Sequence, residues 1–480
     1  MKLLYIDLFC GAGGTSTGVE MATFNGHKCA KVIACVNHDS NAISSHAANH
    51  PNALHFTEDI RTLKLSPLIN YTERLRLLYP DAYLVLWASL ECTNFSKAKG
   101  GLPRNADSRT LAEHLFRYIE ALNPDYIQIE NVEEFMSWGD MDENGHPISK
   151  DKGKSYVRWV NKVCKYGYYF DWRILNAADY GAFTSRKRFF GIFARHSLPI
   201  AFPKATHSKY SHNYNHTLFQ DDIIKPWKSV RCCLDLHNEG YSIFGRKKPL
   251  VEKTLQRIYA GLIKFVAGGK DAFIVKYNSM NSKYGKYIAP GIDEPCPTVA
   301  TQNRLGIAKV RYFRNYYDAV STNNIVVKKP WIMNTNYDNI GSSIDDPSQT
   351  ITANRKFHYL MNPQFVNKEG SIDNPCFTLI ARMDKMPPFL ISTKEGLGCE
   401  IYKTDSPATI QIKEFMALYG IYDIRMRMLS VTELKRIMGF PEDYTLIGTQ
   451  AEQKKFIGNA VEVNMARVLC EAIYEKLNQK

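Results

Sequence analysis

The 480 residues of this chain are enough for two or three domains with buried cores. Apolar residues make up 45% of the sequence and charged residues 23%, which excludes a mainly disordered chain. The net charge of +13 is unevenly distributed, because residues 196–426 carry about +10 of it. That excess favours a surface that faces a polyanion, although a solvated basic surface explains the charge alone equally well.

The cysteines and the apolar runs of the sequence indicate the cellular compartment in which the protein works. The eleven cysteines are scattered, and no Cys-x-x-Cys pair or Cys/His cluster has zinc-ligand spacing, so we expect no metal site and a reducing environment. Asp7 would interrupt the apolar core of a signal peptide, and the longest apolar stretch, around Tyr83–Leu90, is too short to span a bilayer. We therefore expect a soluble, cytoplasmic protein that does not contact a membrane.

Short β-rich runs alternate with amphipathic helical patterns through the first 195 residues. Strands are predicted at Leu3–Phe9, Lys31–Asn37, Ala53–Ile60, Ala82–Ser89, Tyr126–Val132, Tyr168–Asn176 and Arg188–Arg195, and a helix at Ser108–Leu122. This alternation predicts an α/β fold with a parallel, doubly wound sheet. In such sheets ligands bind at the carboxyl ends of the strands, so the residues that follow each strand are the candidates for function.

The pattern changes after residue 195. Between 196 and 426, β-rich runs are separated by turn residues, and helical patterns return from 427 onward. The last helix has an apolar stripe formed by Met465, Val468, Leu469 and Ile473. We therefore predict a catalytic α/β domain over 1–195, an inserted β-rich domain over 196–426, and a segment over 427–480 that rejoins the first domain.

Glycines and acids follow the first three predicted strands. Glycine allows a tight turn and a close approach to a ligand, although a purely structural turn uses the same residue. Acids at the next two strand ends suit the hydroxyl and amino groups of a nucleoside cofactor, and helix caps or solvated turns are the alternatives. The candidate cofactor-binding residues are Asp7, Phe9, Gly11, Gly13, Gly14, Asn37, His38, Asp39, Asp59 and Ile60.

The fourth and fifth strands end in residues with catalytic chemistry. Cys92 follows the fourth strand and precedes a basic, glycine-containing loop, which suits an exposed thiolate nucleophile; a buried core cysteine, the commoner kind, is the alternative. Glu130 ends the fifth strand at the same rim of the predicted sheet. Arg186 and Arg188 share one face of an extended chain, where they suit a carbonyl or phosphate unless they are merely solvated.

Together these motifs resemble the DNA (cytosine-5)-methyltransferases, in that family's motif order, over residues 3–195 and 427–470. The segment Asp7–Gly14 is similar to the family's S-adenosylmethionine loop, and Glu130–Val132 to its Glu-Asn-Val motif. The remaining matches are Asp107–Arg109, Arg186–Arg188, Arg427–Glu433, Met438–Pro441 and Phe456–Val461. The last of these adds Asn459 and Val461 to the expected cofactor site.

Three positions depart from the family pattern. Glu91 and Thr93 flank Cys92 where the family usually has Pro and Gln, and a carboxylate beside a thiol tends to raise its pKa. Thr184 stands where the arginine motif usually begins with Gln. The family's ribose-binding Glu has no identical counterpart, and Asn37, His38 and Asp39 are the candidates.

The resemblance implies methyl transfer from S-adenosylmethionine to carbon 5 of a flipped-out cytosine in duplex DNA. Cys92 would add to carbon 6 and Glu130 would hydrogen-bond the N3 edge, while Arg186 and Arg188 hold the base carbonyl, a phosphate or the active-site loop. The loop over 93–109 would cover the flipped base. A tRNA cytosine methyltransferase and an inactive DNA-binding protein of the same fold are the alternatives; the long region over 196–426 disfavours the first, and the retained catalytic residues disfavour the second.

The family's target-recognition domain corresponds to the basic region over 196–426. Three repeats there, beginning at Asp293, Asp345 and Asp373, predict turn–strand units with trailing arginines near DNA, or units that only build the domain's sheet. The candidate DNA-binding residues are Lys97, Lys99, Arg104, Arg304, Arg355 and Arg382. Because the first motif begins at residue 3, we expect a monomeric, stand-alone or restriction-associated bacterial or phage enzyme, with a cognate restriction endonuclease as partner in the second case.

Overall fold

The structure is a computed structural model and describes most of the chain. The described residues are 3–90, 111–138, 153–209, 224–277, 287–302, 304–312, 331–332, 342–343, 360–361, 389–390 and 400–479. They form two compact units. The first contains Met1–Leu234, Asp293–Asn303 and Ser430–Lys480, and the second contains Asp235–Ile292 and Arg304–Leu429. These limits differ from the predicted domain boundaries, because residues 196–234 and Asp293–Asn303 belong to the first unit.

Eleven labelled strands build the two main sheets. They are β1 Leu3–Leu8, β2 Ala30–Asn37, β3 Leu54–Thr57, β4 Tyr83–Ser89, β5 Tyr126–Asn131, β6 Tyr168–Asn176, β7 Lys187–Arg195, β8 Tyr241–Ser242, β9 Ala272–Lys276, β10 Leu305–Tyr312 and β11 Ile421–Met428. Two-residue strands pair Thr23–Phe24 with His27–Lys28, His207–Ser208 with Lys225–Pro226, Trp331–Ile332 with Ser342–Ser343, and Leu360–Met361 with Phe389–Leu390.

Ten α-helices lie in the described part of the chain. They are α1 Gly14–Met21, α2 Ser40–Asn49, α3 Ser66–Leu78, α4 Leu115–Leu122, α5 Lys154–Cys164, α6 Glu252–Gly261, α7 Pro407–Tyr419, α8 Val431–Ile437, α9 Gln450–Asn459 and α10 Val463–Asn478. Short 3-10 helices span Glu133–Ser137, Ala177–Tyr180 and Val230–Cys233, and a π-helical turn spans Leu262–Val266. None of the described helices has both the length and the apolar character needed to cross a membrane.

The first unit contains a seven-stranded sheet in the order β3-β2-β1-β4-β5-β7-β6. The first five strands in this order are parallel, so their carboxyl ends meet at one edge. Strand β7 is antiparallel to both β5 and β6, so β7 alone runs against the other six strands, and the expectation of a wholly parallel sheet is wrong for this strand. All seven predicted strands are present, and the α/β fold class is confirmed.

Helices and aromatic side chains cover both faces of this sheet. One face packs against α3, α4 and α5, and the other against α1 and the final helix α10. Met465, Leu469 and Ile473 of the predicted stripe are buried against the second face, and Val468 is partly buried there. The last 50 residues of the chain therefore complete the core that the first 195 residues begin.

The second unit has a four-stranded antiparallel sheet in the order β8-β11-β10-β9. Its inner face packs on α6 and α7, around Ile258, Phe273 and Ile412. The predicted insertion is therefore a mixture of helix and sheet rather than β-rich throughout. The sheet is nevertheless a separate, antiparallel one, since its strands pair only with one another among the described residues.

The repeats do not form the predicted turn–strand units where the structure describes them. The run after Asp293 belongs to the first unit and contains only an isolated bridge between Cys296 and Thr184. A similar but shorter stretch, Asp405–Thr409, enters helix α7, because Ser406 caps that helix and Pro407 occupies its first position. The repeats that begin at Asp345 and Asp373 lie outside the described residues.

The final helix supplies a test of the core. Replacing Ile473 with Ala should lower the free energy of unfolding by about 2–5 kcal/mol, because the side chain is fully buried and its removal leaves a cavity. Val468→Ala on the same helix is the control and should cost clearly less. Denaturant titration followed by circular dichroism measures both, and equal losses would mean that α10 does not seal the sheet.

Candidate active site

The loop between β1 and α1 has a backbone that few residues other than glycine adopt. Phe9, Gly11 and Gly13 have φ angles of 61°, 53° and 101°, so three left-handed conformations occur within five residues. A Cβ atom at Gly11 would meet no other atom within 4 Å, so open space lies beside the backbone there. Helix α1 begins at Gly14 without a side-chain cap.

Asp7 lies at the end of β1 beside this loop. Its Oδ2 accepts a hydrogen bond of 2.7 Å from the Ser16 hydroxyl, whereas its buried Oδ1 has no hydrogen-bond partner among the described residues. Burial raises the pKa of the Asp7 carboxyl to about 8. A cationic group placed beside Asp7 would therefore stabilise its ionised form.

The C-terminal segment packs directly against the loop. A Cβ atom at Gly14 would lie 2.5 Å from the carbonyl oxygen of Val461, so only glycine fits there. The Tyr444 hydroxyl donates a hydrogen bond of 2.5 Å to the carbonyl of Ala12. Val461 is buried, and Asn459, at the end of α9, is exposed. Sequence reasoning found the return of this segment but not the role of Tyr444.

Residues after β2 hold the start of α2. Asp39 caps the helix, since its Oδ1 accepts hydrogen bonds from the backbone N–H groups of Asn41 and Ala42. The side chain of Asn37 accepts a hydrogen bond of 2.9 Å from the Asp39 N–H. His38 is exposed. Two of the three candidates for ribose contact thus have local structural partners.

After β3, Asp59 and Ile60 have different surroundings. The Asp59 carboxylate accepts hydrogen bonds from the Arg61 guanidinium, the shortest at 2.6 Å, and these lower the pKa of Asp59. Ile60 is buried, and its carbonyl accepts hydrogen bonds from Tyr118 and Arg117. Asp59 and the loop after β1 stand at the same carboxyl edge of the sheet.

Glu130 ends β5 and is buried at the same edge. Burial raises the pKa of its carboxyl, and the charges of Arg188 and Arg186 lower it by a smaller amount, so the pKa stays above its usual value. The Arg188 Nε lies 3.3 Å from Oε1 of Glu130. The structure therefore brings Glu130 and Arg188 together as a partly desolvated ion pair.

The neighbouring asparagine connects β5 to the end of β4. Asn131 donates a hydrogen bond of 3.3 Å from Nδ2 to the carbonyl of Leu90, and Glu130 is the register partner of Ser89. Leu90 is the last described residue before the segment that carries Cys92. The entry to that segment is thus anchored beside Glu130.

Arg186 has a different environment from Arg188. Its guanidinium is buried and donates hydrogen bonds to the backbone carbonyls of Val299, at 3.2 Å, and Gly458, at 3.1 Å. It joins the segment Asp293–Asn303 to the end of α9. In this structure Arg186 binds backbone, while Arg188 faces the candidate catalytic carboxyl.

Most of the remaining candidate residues lie in segments that the structure does not describe. Cys92, its neighbours Glu91 and Thr93, and the basic candidates Lys97, Lys99, Arg104, Arg355 and Arg382 lie outside the described residues. Arg304 is described and is partly buried. It is the first residue of the segment Arg304–Leu429 of the second unit, and its carbonyl accepts a hydrogen bond from the Tyr277 N–H.

A buried cluster of Cys10, Cys35 and His46 lies beside the glycine loop and was not predicted. Its members come from three separate elements, so a search for short Cys/His spacings does not find it. The sequence carries no short spacing among these three residues that could have found it. Within the cluster, hydrogen bonding from the Cys10 thiol lowers the pKa of Cys35.

Comparison with known proteins identifies the family. The profile described as "C-5 cytosine-specific DNA methylase" matches residues 3–475. The chain belongs to the C-5 cytosine-specific DNA methylase family. This confirms the resemblance found in the sequence, and the family uses S-adenosylmethionine as its methyl donor.

Relatives of this chain have been named in several bacteria. The type II methyltransferase M1.HphI of Haemophilus parahaemolyticus is 27% identical over 213 residues, 44% of this chain and 51% of that protein. M.XorII of Xanthomonas oryzae is 30% identical over 209 residues, 42% of this chain and 43% of that protein. The chain thus matches about half the length of these curated relatives. A DNA modification methyltransferase encoded within an E. coli prophage aligns over 99% of this chain and 100% of that one, with a TM-score of 0.46 and 16% identity.

The residues around the glycine loop fit the methyl donor of the family. S-adenosylmethionine carries an ammonium and a sulfonium group, and Asp7 offers a buried carboxyl oxygen that has no other hydrogen-bond partner among the described residues. The open space beside Gly11 removes the steric barrier to a ligand at that point. The structure thus agrees with a methyl-donor site at the edge of β1.

Glu462, which caps α10, supplies a pH test of this region. Burial raises the pKa of the Glu462 carboxyl to about 7, while its Oε2 accepts a hydrogen bond from the Met465 N–H. The unfolded chain ionises at lower pH than the native chain, so stability should fall as pH rises from about 4.5 to 7.

Glu462→Gln keeps an oxygen for the cap and removes this titration. The variant should match the wild type near pH 4 and exceed its free energy of unfolding at pH 8 by up to about 3 kcal/mol. Urea unfolding over this pH range measures the difference. A difference that stays constant at every pH would show that folding does not raise the pKa of Glu462.

Proposed function

We propose that this methylase transfers a methyl group from S-adenosylmethionine to carbon 5 of a cytosine in duplex DNA. The observation that carries the proposal is the arrangement at the ends of β4 and β5. There the buried Glu130 pairs with Arg188, and Asn131 holds the carbonyl of Leu90, two residues before Cys92. An acid group and the entry to a cysteine-bearing segment meet at one edge of the sheet.

Glu130 suits the protonation step of cytosine activation. Attack on carbon 6 increases electron density at the ring N3, which then needs a proton or a strong hydrogen-bond donor. A buried carboxyl with a raised pKa is protonated over a wider pH range and donates that hydrogen bond. Arg188 holds the carboxyl in place and limits the rise of its pKa.

Cys92 is proposed as the nucleophile on the sequence alone. Its thiolate forms a bond to carbon 6, which makes carbon 5 nucleophilic. S-adenosylmethionine supplies an electrophilic methyl group. After carbon 5 has gained the methyl group, loss of its proton and departure of the Cys92 thiolate restore the aromatic ring. The base must leave the helix stack for any of this chemistry.

A basic face of the second unit is the proposed DNA contact. Lys309 pairs with Arg425, and Arg311 pairs with Asp423, across β10 and β11. The residues that alternate with them, Ala308, Val310, Ile424 and Met426, are buried in the core, so the three cations and Asp423 share the outer face. The Asp423 carboxylate lies 3.2 Å from Arg425 there. Glu239 lies 3.1 Å from Lys309 and 2.6 Å from Arg311, and compensates part of the charge.

The biological setting is part of the proposal. The named relatives are type II methyltransferases, which supports a role in modification beside a restriction endonuclease. We place the enzyme in the cytoplasm as a monomer, where DNA and the methyl donor are both available. We also propose 196–426 as the recognition region, with Asp293–Asn303 packed in the first unit.

The direct test is methyl transfer with labelled S-adenosylmethionine. Purified protein should label duplex DNA and leave tRNA unlabelled, and base-resolution sequencing of DNA from expressing cells should then give the target sequence. Labelling of tRNA in preference to DNA would contradict the assignment. Tight DNA binding without transfer to either substrate would indicate an inactive DNA-binding protein.

Glu130→Gln should lower the turnover number at least about a hundredfold, the usual scale for loss of a positioned acid–base group. The wild-type turnover should fall as pH rises, because it needs the protonated carboxyl, whereas Gln does not titrate, so the difference between the two proteins should be largest at low pH. Glu133→Gln is the control, since Glu133 follows three residues later and is exposed. Equal rates for the two variants would make the Glu130 carboxyl structural.

The basic face predicts a change in salt dependence. Arg311→Gln and Arg425→Gln should each weaken binding on all duplex sequences, and each should flatten the slope of log affinity against log salt by about 0.9. Arg173→Gln is the control, because Arg173 is an exposed arginine of β6 that pairs with Asp171. Fluorescence anisotropy at several salt concentrations measures the slopes, and unchanged slopes would exclude this face.

A further inference from the structure

Three side chains with metal-binding atoms, those of Cys10, Cys35 and His46, meet beside the glycine loop, and His55 contacts His46. Strand register places Asp7, Cys35 and His55 in one row across β1, β2 and β3. Cys10 follows β1 and His46 lies on α2. The binding atoms of Cys10, Cys35 and His46 all lie within 4.8 Å of one another, and all three residues are buried.

The hydrogen bonds of His46 determine which nitrogen faces this cluster. The Ser16 hydroxyl donates its hydrogen to Asp7, so the Ser16 oxygen accepts from the His46 Nε2, 2.9 Å away. The hydrogen of the neutral ring is therefore on Nε2, and Nδ1 keeps its lone pair. That Nδ1 lies 3.6 Å from the Cys35 sulfur and 2.9 Å from Nε2 of His55. In metal-binding histidines, a hydrogen bond from the nitrogen that does not bind the metal orients the ring in this way.

We propose that Cys10, Cys35, His46 and His55 form a structural zinc site. With Zn–S near 2.3 Å and Zn–N near 2.0–2.1 Å, a tetrahedral site separates sulfur from nitrogen by about 3.6 Å and the two nitrogens by about 3.3 Å. The observed 3.6 Å fits the first value, and the observed 2.9 Å requires the rings to move apart by a few tenths of an ångström. Two thiolates and two imidazoles are a ligand set that selects zinc.

The site would join four elements around the proposed methyl-donor loop. Cys10 lies between Phe9 and Gly11, which both have left-handed backbones, so a metal bond there would hold the loop in the backbone conformation that the structure shows. The proposal does not depend on the methyltransferase activity, because zinc content and activity are measured separately.

The test measures metal in the full-length protein. Protein purified with a phosphine reductant and no chelator should contain about one equivalent of zinc by mass spectrometry. Cobalt should replace it and give the thiolate-to-cobalt absorption band of a tetrahedral site. Cys35→Ser should lose both, whereas Cys29→Ser, a buried cysteine at the other end of the sheet, should keep both.

His55→Gln is the second variant, since His55 is only partly buried and its loss is tolerable to the fold. It should remain folded by circular dichroism and bind zinc at least about tenfold more weakly in competition with a chelator. Wild-type protein that takes up no zinc and shows no cobalt–thiolate band would overturn the proposal. So would equal zinc loss in Cys29→Ser, or a Cys10–Cys35 disulfide in the reduced preparation.

Discussion

The contact between helix α1 and the C-terminal segment is the constraint on which the first unit depends. Gly14 and Gly18 have no room for a Cβ atom, because the backbones of Val461 and Val463 lie directly against them. The glycines thus serve two purposes: they shape a loop beside open space, and they allow the last helix to cover the sheet. A fold that begins at residue 3 is completed only by residues after 430.

Arg186 and Arg188 lie two residues apart in the sequence motif but have different partners in the structure. Arg186 fixes backbone from two distant segments, and Arg188 neutralises part of the charge of Glu130. Burial raises the pKa of the Glu130 carboxyl, and the arginine charge lowers it by a smaller amount. The pKa therefore stays raised, while the ionised carboxylate still has a cationic partner. The candidate acid is therefore held by a scaffold that is itself built from long-range contacts.

Much of the first unit could be predicted because its strands are long and apolar and its motifs follow them closely. The reversed direction of β7 could not be predicted, since a β-rich run has the same pattern in parallel and antiparallel pairs. The placement of Asp293–Asn303 failed for a related reason: its contacts with Thr184 and Arg186 join residues more than 100 positions apart. The Cys10, Cys35 and His46 cluster escaped because its members meet only through strand register and helix packing.

The most direct test of the account is covalent trapping. The substrate is a duplex with 5-fluorocytosine at the methylated position, mixed with the protein and S-adenosylmethionine. Because fluorine cannot leave as a proton does, the account predicts a protein–DNA complex that survives denaturation and whose attached peptide contains Cys92. Cys92→Ser should form none, and Cys29→Ser should form it normally. Attachment through another residue, or the absence of a complex while normal DNA is methylated, would contradict the account.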